Sequence, residues 1–164
     1  MTMAAIEQKI TPFLWFNTEA EEAANLYVSL FKDSKILSVS RYGDAGPGPK
    51  GSAMVVDFQL AGQRFQALNG GPIFKFTEAL SLMVHCDSQE EVDTLWSKLT
   101  ANGGQESQCG WLKDRYGLSW QIVPKRFVEL MQDKDPKRTQ RVVQAMMTMK
   151  KFDIARLEQA YAQV

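Results

Sequence analysis

The chain has 164 residues, enough for one well-packed domain or two small modules sharing a core. Apolar residues make up 45% and charged residues 23%, and 19 basic residues balance 19 acidic ones, so neither a nucleic-acid nor an anionic-membrane footprint is expected. No apolar run is long enough to span a bilayer, the N-terminal MTMAAIEQKITP carries Glu7 and lacks the apolar core of a leader, and Cys86 and Cys109 alone make no disulfide framework; a cytoplasmic protein is the expectation.

The first predicted element is the apolar run opening 13-FLWFNTEAEEAANLYVSLF-31. Thr18 with Glu21 three residues on has the form of a capping box, and Ala20, Ala23, Leu26, Tyr27 and Leu30 then recur at helical spacing. Three strand-like stretches follow, 35-KILSVSRY-42, 52-SAMVVDFQL-60 and 63-QRFQALN-69, with Ala61-Gly62 turning between the last two. The glycine-rich 43-GDAGPGPKG-51 lacks phosphate-cradle order, and its prolines forbid an immediate helix, so it reads as a connection.

After the linker 70-GGPIFKFTEA-79 the pattern begins again at 82-LMVHCDSQEEVDTLWSKLT-100. Glu21 and Glu90, Leu26 and Leu95, Tyr27 and Trp96, Leu30 and Leu99 all stand 69 residues apart. Asp87 or Ser88 caps the second helix, whose acidic start suits the positive end of its dipole. Strands are expected at 104–108, 110–114 and 119–123, giving a βαβββ unit twice. Pro124 starts a helical tail in which 135-DPKRTQRVVQAMMTMKK-151 and 153-DIARLEQAYA-162 are both amphipathic.

His85 is the single histidine, so a Cys/His zinc site of ordinary spacing cannot be assembled. A Ser-His-Asp triad would have to use His85 and has no GxSxG elbow to support it. The carboxylate pairs Glu21-Glu22 and Glu90-Glu91 read as solvated helix starts, since adjacent helical residues do not face each other.

The duplicated unit resembles the glyoxalase/bleomycin-resistance/dioxygenase (vicinal oxygen chelate) superfamily. The stretches 66-QALNGGPIFKF-76, 109-CGWLKDRYGLSWQIVP-124 and 145-AMMTMKKFDIARLEQA-160 are similar to its PhnB-like, 3-demethylubiquinone-9 3-methyltransferase-like branch. The resemblance implies an α+β fold in which the duplicated βαβββ modules form an eight-stranded, incompletely closed mixed sheet around a cavity. It implies one domain, with modules at 10–70 and 79–124 and a helical tail at 125–164, and a homodimer. Metalloenzymes of that superfamily close the final strand on D-P-x-G-x-x-x-E, where this chain reads 114-DRYGLSWQ-121 and puts Gln121 in the carboxylate position. The partner positions carry over to Pro12, Ala67 and Ser81, and none is a strong ligand for a divalent cation. No metal and no cofactor are expected, and the glycine-rich turn common in S-adenosylmethionine pockets does not occur.

In such a cavity, strand alternation from Pro12 turns Leu14 and Phe16 inward and Phe13 and Trp15 outward; from Ser81 it adds Met83 and His85, and from Gln121 Ser119 and Val123. With Asn69, a further polar candidate, and Trp111 at a strand start, the candidate ligand-binding residues are Phe16, Asn69, Ser81, Trp111 and Gln121. His85 and Asp57 are the candidate acid/base groups, each with a structural alternative: a strand-end histidine, and an aspartate paired with Arg41 or Arg64. Asn69-Gly70-Gly71 is a turn or a set of backbone donors, and Cys109 has no neighbour to activate it. The leading expectation is a metal-free protein holding a small hydrophobic or aromatic molecule; a lyase, isomerase or transferase is the second, and a structural dimer with a filled cavity the third.

Overall fold

The computed structural model describes residues 8–163. Most of the N-terminal stretch read for a leader lies outside them. The chain divides into two compact units, Met1–Lys75 and Phe76–Val164, with the division inside the linker that the repeat predicts. The tail belongs to the second unit. Among the described residues no helix is long and apolar enough to cross a membrane.

The first unit runs β1 (Phe13–Phe16), α1 (Ala20–Leu30), β2 (Lys35–Arg41), β3 (Ala53–Leu60) and β4 (Gln63–Asn69). Its four-stranded sheet has the order β1-β4-β3-β2, with β1 parallel to β4 and the other pairs antiparallel. The parallel pair needs a crossover and α1 supplies it. Alanines at 20, 23 and 24, all fully buried with Tyr27, let the helix backbone lie close on Val56, Phe58 and Ala67 of the sheet, which are equally buried.

Capping of α1 departs from the sequence pattern. Thr18 does not close a box; Asn69 at the end of β4 accepts from Ala20 N at 2.8 Å and donates to Ala53 O at 3.0 Å. A side chain distant in sequence does the work assigned to a local hydroxyl. Gly70 is held against the Trp15 indole, where a Cβ would stand 2.2 Å from the ring.

The second unit runs β5 (Ser81–Cys86), α2 (Gln89–Thr100), a 3-10 turn (Ala101–Gly103), β6 (Gln105–Glu106), β7 (Trp111–Lys113) and β8 (Ser119–Pro124). Its sheet repeats the first in order, β5-β8-β7-β6, and in pairing sense. The duplicated βαβββ α+β architecture is thus observed, with hydrogen bonding giving two four-stranded mixed sheets. Here the local cap forms: Ser88 Oγ accepts from Glu91 N at 3.2 Å while the Glu91 carboxylate accepts from Asp87 N at 2.7 Å. The buried stripe is Val92, Leu95, Trp96 and Leu99.

Three helices make the tail: α3 (Lys125–Met131), α4 (Pro136–Met146) and α5 (Ile154–Ala162). The segment between α4 and α5 is tied to the second sheet: Cys109 N and Gly110 N donate to Met149 O and Lys150 O at 2.9 and 2.8 Å. Gln89 donates to Phe152 O at 2.9 Å and accepts from Ile154 N at 2.8 Å. Gly110 has φ +84°, and a Cβ there would meet the Phe152 ring at 2.4 Å, so this contact requires glycine. Of the tail methionines, Met149 is buried and Met147 exposed.

Candidate functional site

Each sheet has a face covered by its helix and a face turned away from it. In the second unit Glu106 accepts from the Trp96 indole of α2 at 2.7 Å, and Glu106 pairs with Leu112, which pairs with Trp120. The helix side of this sheet is therefore Leu82, Val84, Leu112, Trp120 and Ile122. The other side carries Ser81, Met83 and His85 on β5, Ser119, Gln121 and Val123 on β8, and Trp111 and Lys113 on β7. Four of the predicted site residues, Ser81, His85, Trp111 and Gln121, thus share one face, which alternation predicts for Ser81, His85 and Gln121.

The rows on this face are fixed by register. One is Ser81–Ser119–Lys113, the next Met83–Gln121–Trp111. Gln121 Nε2 donates to Ser81 Oγ at 2.9 Å. Ser119, 1% exposed, is the one buried side-chain polar group among the described residues whose oxygen has no partner. Lys113 Nζ meets Glu78 at 2.5 Å, and its hydrogen bond holds the Glu78 carboxyl below the ordinary carboxylate range. Met83 is exposed and Trp111 half-buried. Alternation from Trp111 would have found Lys113; its Glu78 partner, in the linker, carries no such signal.

His85 is exposed and makes no hydrogen bond among the described residues, so nothing orients it as a base. Asp114 is buried and fully committed: its carboxylate accepts from Tyr116 N, Leu118 N and the Trp120 indole at 2.9, 3.1 and 3.0 Å. Those bonds shape the turn that delivers Gln121 to the face.

In the first unit the predicted face is inverted. Three residues separate β1 from α1, but two separate β5 from α2, so the 69-residue offset of the helices becomes 70 in the strands. A shift of one residue exchanges the two faces of a strand. Leu14 and Phe16, 1% and 3% exposed, lie on the α1 side with Asn69, and Phe13 and Trp15 turn away from it. The candidate Phe16 is thus a core residue, and Asn69 is the cap of α1 with its side chain occupied. Asp57, on the opposite face, is held by Arg64 in a two-pronged ion pair, with Nε to Oδ1 at 2.8 Å. The same pairing raises the Arg64 pKa further. The Asp57–Arg64 alternative is the one observed, with both carboxylate oxygens bonded to the guanidinium.

The corrected register also moves the ligand positions. Met83 pairs with Gln121 and Phe13 with Gln66, so the counterpart of Gln121 is Gln66 rather than Ala67, and that of Ser81 is Thr11 rather than Pro12. The signal is present in the sequence as 62-GQRFQ-66 against 117-GLSWQ-121, with φ +83° and +88° at the two glycines. Both units therefore carry a hydroxyl and an amide where a metal site would need carboxylate or imidazole. Within each unit, a neutral hydroxyl and a neutral amide do not suit a divalent cation that must leave its water shell. Among the described residues no three His, Cys, Asp or Glu side chains cluster as metal ligands.

The sequence profile described as "3-demethylubiquinone-9 3-methyltransferase" matches residues 8–123. The chain belongs to that family. A solved structure described as "Putative 3-demethylubiquinone-9 3-methyltransferase, PhnB protein, from Bacillus cereus" is 43% identical over 71% of this chain and 99% of its own, with TM-score 0.67. Protein PA1353 from Pseudomonas aeruginosa shares the fold at 22% identity over 72% and 98%, with TM-score 0.59. A glyoxalase/bleomycin resistance protein from Albidiferax ferrireducens T118 is similar at 18% identity over 70% and 95%, with TM-score 0.45. No curated protein matches the chain. The third stretch quoted for the family resemblance, 145–160, lies beyond the matched residues.

Proposed function

We propose that this glyoxalase/bleomycin-resistance-like protein binds a small, partly aromatic molecule without a metal, on the face of the second sheet that carries Gln121. The buried Ser119 hydroxyl without a partner carries the reading, because it stands one row from an amide already paired to Ser81. A desolvated hydroxyl costs about 1–3 kcal/mol when left unbonded, and a ligand oxygen would recover that. Trp111 beside Gln121 offers a ring for stacking, and Met83 a polarizable surface that adapts to shape. The neutral amide and hydroxyls suit a hydroxyl- or carbonyl-bearing ring over an anion or a cation.

The test uses 4-methoxyphenol, a neutral ring with one hydroxyl donor and one ether acceptor, followed by amide NMR on the whole chain. Saturable shifts centred on β5, β7 and β8 are expected, weakened about tenfold by Trp111→Ala and by Gln121→Ala. Shifts scattered over the surface, or affinity unchanged in both variants, would remove this reading. Native mass spectrometry of freshly purified protein adds any co-purified ligand and its mass.

A further inference from the structure

The matched family profile stops at residue 123, so the α4–α5 hairpin needs its own account. Its two helices carry one motif twice: 141-RVVQAMMT-148 and 156-RLEQAYAQ-163 share R-x-x-Q-A. Arginine, glutamine and alanine recur at i, i+3 and i+4 on one face of each helix, and a polar residue follows at i+7 just past the helix end. Both sets line one groove of about 380 Å³ between the helices. Ala145 and Ala160 leave its floor low.

The charges of this groove are unusual for this chain. Arg41, Arg64, Arg126 and Arg138 each pair with a carboxylate. Arg141 and Arg156 have no carboxylate partner among the described residues, and no acidic side chain lines the groove. Arg141 donates to Ala160 O and Tyr161 O at 2.9 and 3.0 Å, so part of its charge answers the negative end of α5. Arg156 donates to the Thr148 hydroxyl at 3.0 Å and has donors to spare. The side chains of Gln144, Gln159 and Gln163 make no hydrogen bond among the described residues, which adds three amide donors.

We infer that the groove binds a small molecule bearing linked phosphoryl groups. Guanidinium forks match phosphoryl oxygens in geometry and charge. Arg156 stands in the first turn of α5, whereas Arg141 meets the carbonyls of its last turn, so the two cations mark opposite ends of the groove. Linked phosphoryl groups would let one molecule meet the cation at each end, which a single phosphate does less well.

The test is calorimetry on the intact chain in metal-free buffer with inorganic triphosphate, monophosphate and succinate. Triphosphate should bind saturably and more tightly than either of the others. Its affinity should fall about tenfold in Arg156→Gln and again in Gln159→Glu, which puts a carboxylate in the groove, and it should weaken as salt rises. Arg156 and Gln159 are exposed, and an unchanged thermal melt verifies that both variants fold. Equal binding of succinate or monophosphate, triphosphate binding indifferent to both substitutions, or no triphosphate binding overturns the inference.

Discussion

Gln121 donates through Nε2 to the Ser81 hydroxyl at 2.9 Å, joining adjacent parallel strands by a side-chain bond. A bond between two neutral groups leaves no charge on this pair for a cation to compensate. If the protein is metal-free as proposed, treatment with a chelator should leave its melting temperature unchanged. The double variant Ser81→His/Gln121→Glu puts an imidazole and a carboxylate on the same neighbouring strands. It should gain saturable zinc affinity over the wild type in competition with a chromogenic chelator. A chelator-sensitive wild type, or a double variant that gains nothing, would refute the assignment of these positions.

Asn69 illustrates a different dependence. Its side chain caps α1 at Ala20 and holds the carbonyl of Ala53, and its own carbonyl accepts from Tyr42 Oη at 2.5 Å. Asn69→Ala should lower stability by about 1–2 kcal/mol, the usual cost of a lost cap. Asn69→Asp keeps the acceptor and loses the donor, so it should fall between the wild type and the alanine variant. Urea melts read the order directly, and two equally destabilised variants would show that the cap contributes nothing.

How much of this was legible in the sequence follows from the range over which each signal acts. Helical stripes and turn glycines are local, so both βαβββ units and the shared face of Ser81, Met83, His85 and Gln121 could be read from spacing. The face of β1 could not be read by carrying one offset through a loop, because a single extra residue before α1 reverses it. Asn69 was equally hidden: its partner on α1 lies 49 residues away, and a hydrophilic strand end looks the same whether it caps a helix or meets a ligand. The Gln66–Gln121 correspondence was available as G-x-x-[FW]-Q, but only to a reading that aligned β4 with β8 rather than helix with helix.

Three carboxylates predict the acid limb of the stability curve. Asp93 is held below its ordinary pKa by hydrogen bonds from Lys151 and Gln89, Asp133 by the Tyr161 hydroxyl, and Glu78 by Lys113. A depressed folded pKa means that the unfolded chain binds protons first as pH falls. The contribution is complete above the unfolded carboxylate values near ~4 and is lost as pH drops through the lower folded values. Two of these ties hold the tail, Asp93 to Lys151 and Asp133 to Tyr161 of α5. Melting temperature should hold steady above about pH 5 and fall below it. Lys151→Met should flatten that fall; an identical acid slope in the variant would exclude the Asp93 contribution.

The two thiols should separate in the alkaline direction. Cys86 is buried at the end of β5, and burial, with Glu91 and Asp87 adding to it, pushes its pKa up to about 12. Cys109 is half-exposed, with its Sγ 3.7 Å from Met146 O. A raised folded pKa reverses the sign of the carboxylate case: the stability of the neutral thiol is complete below the unfolded value near ~8.5 and is lost as pH climbs from there towards the folded one. Since the thiolate is the nucleophile, a disulfide reagent at pH 8 should modify Cys109 in the native protein and leave Cys86 untouched until denaturant is added. Cys109→Ala should then show almost no native reaction. Fast labelling of Cys86 in that variant would mean that the α2 end of the second sheet opens far more readily than its packing implies.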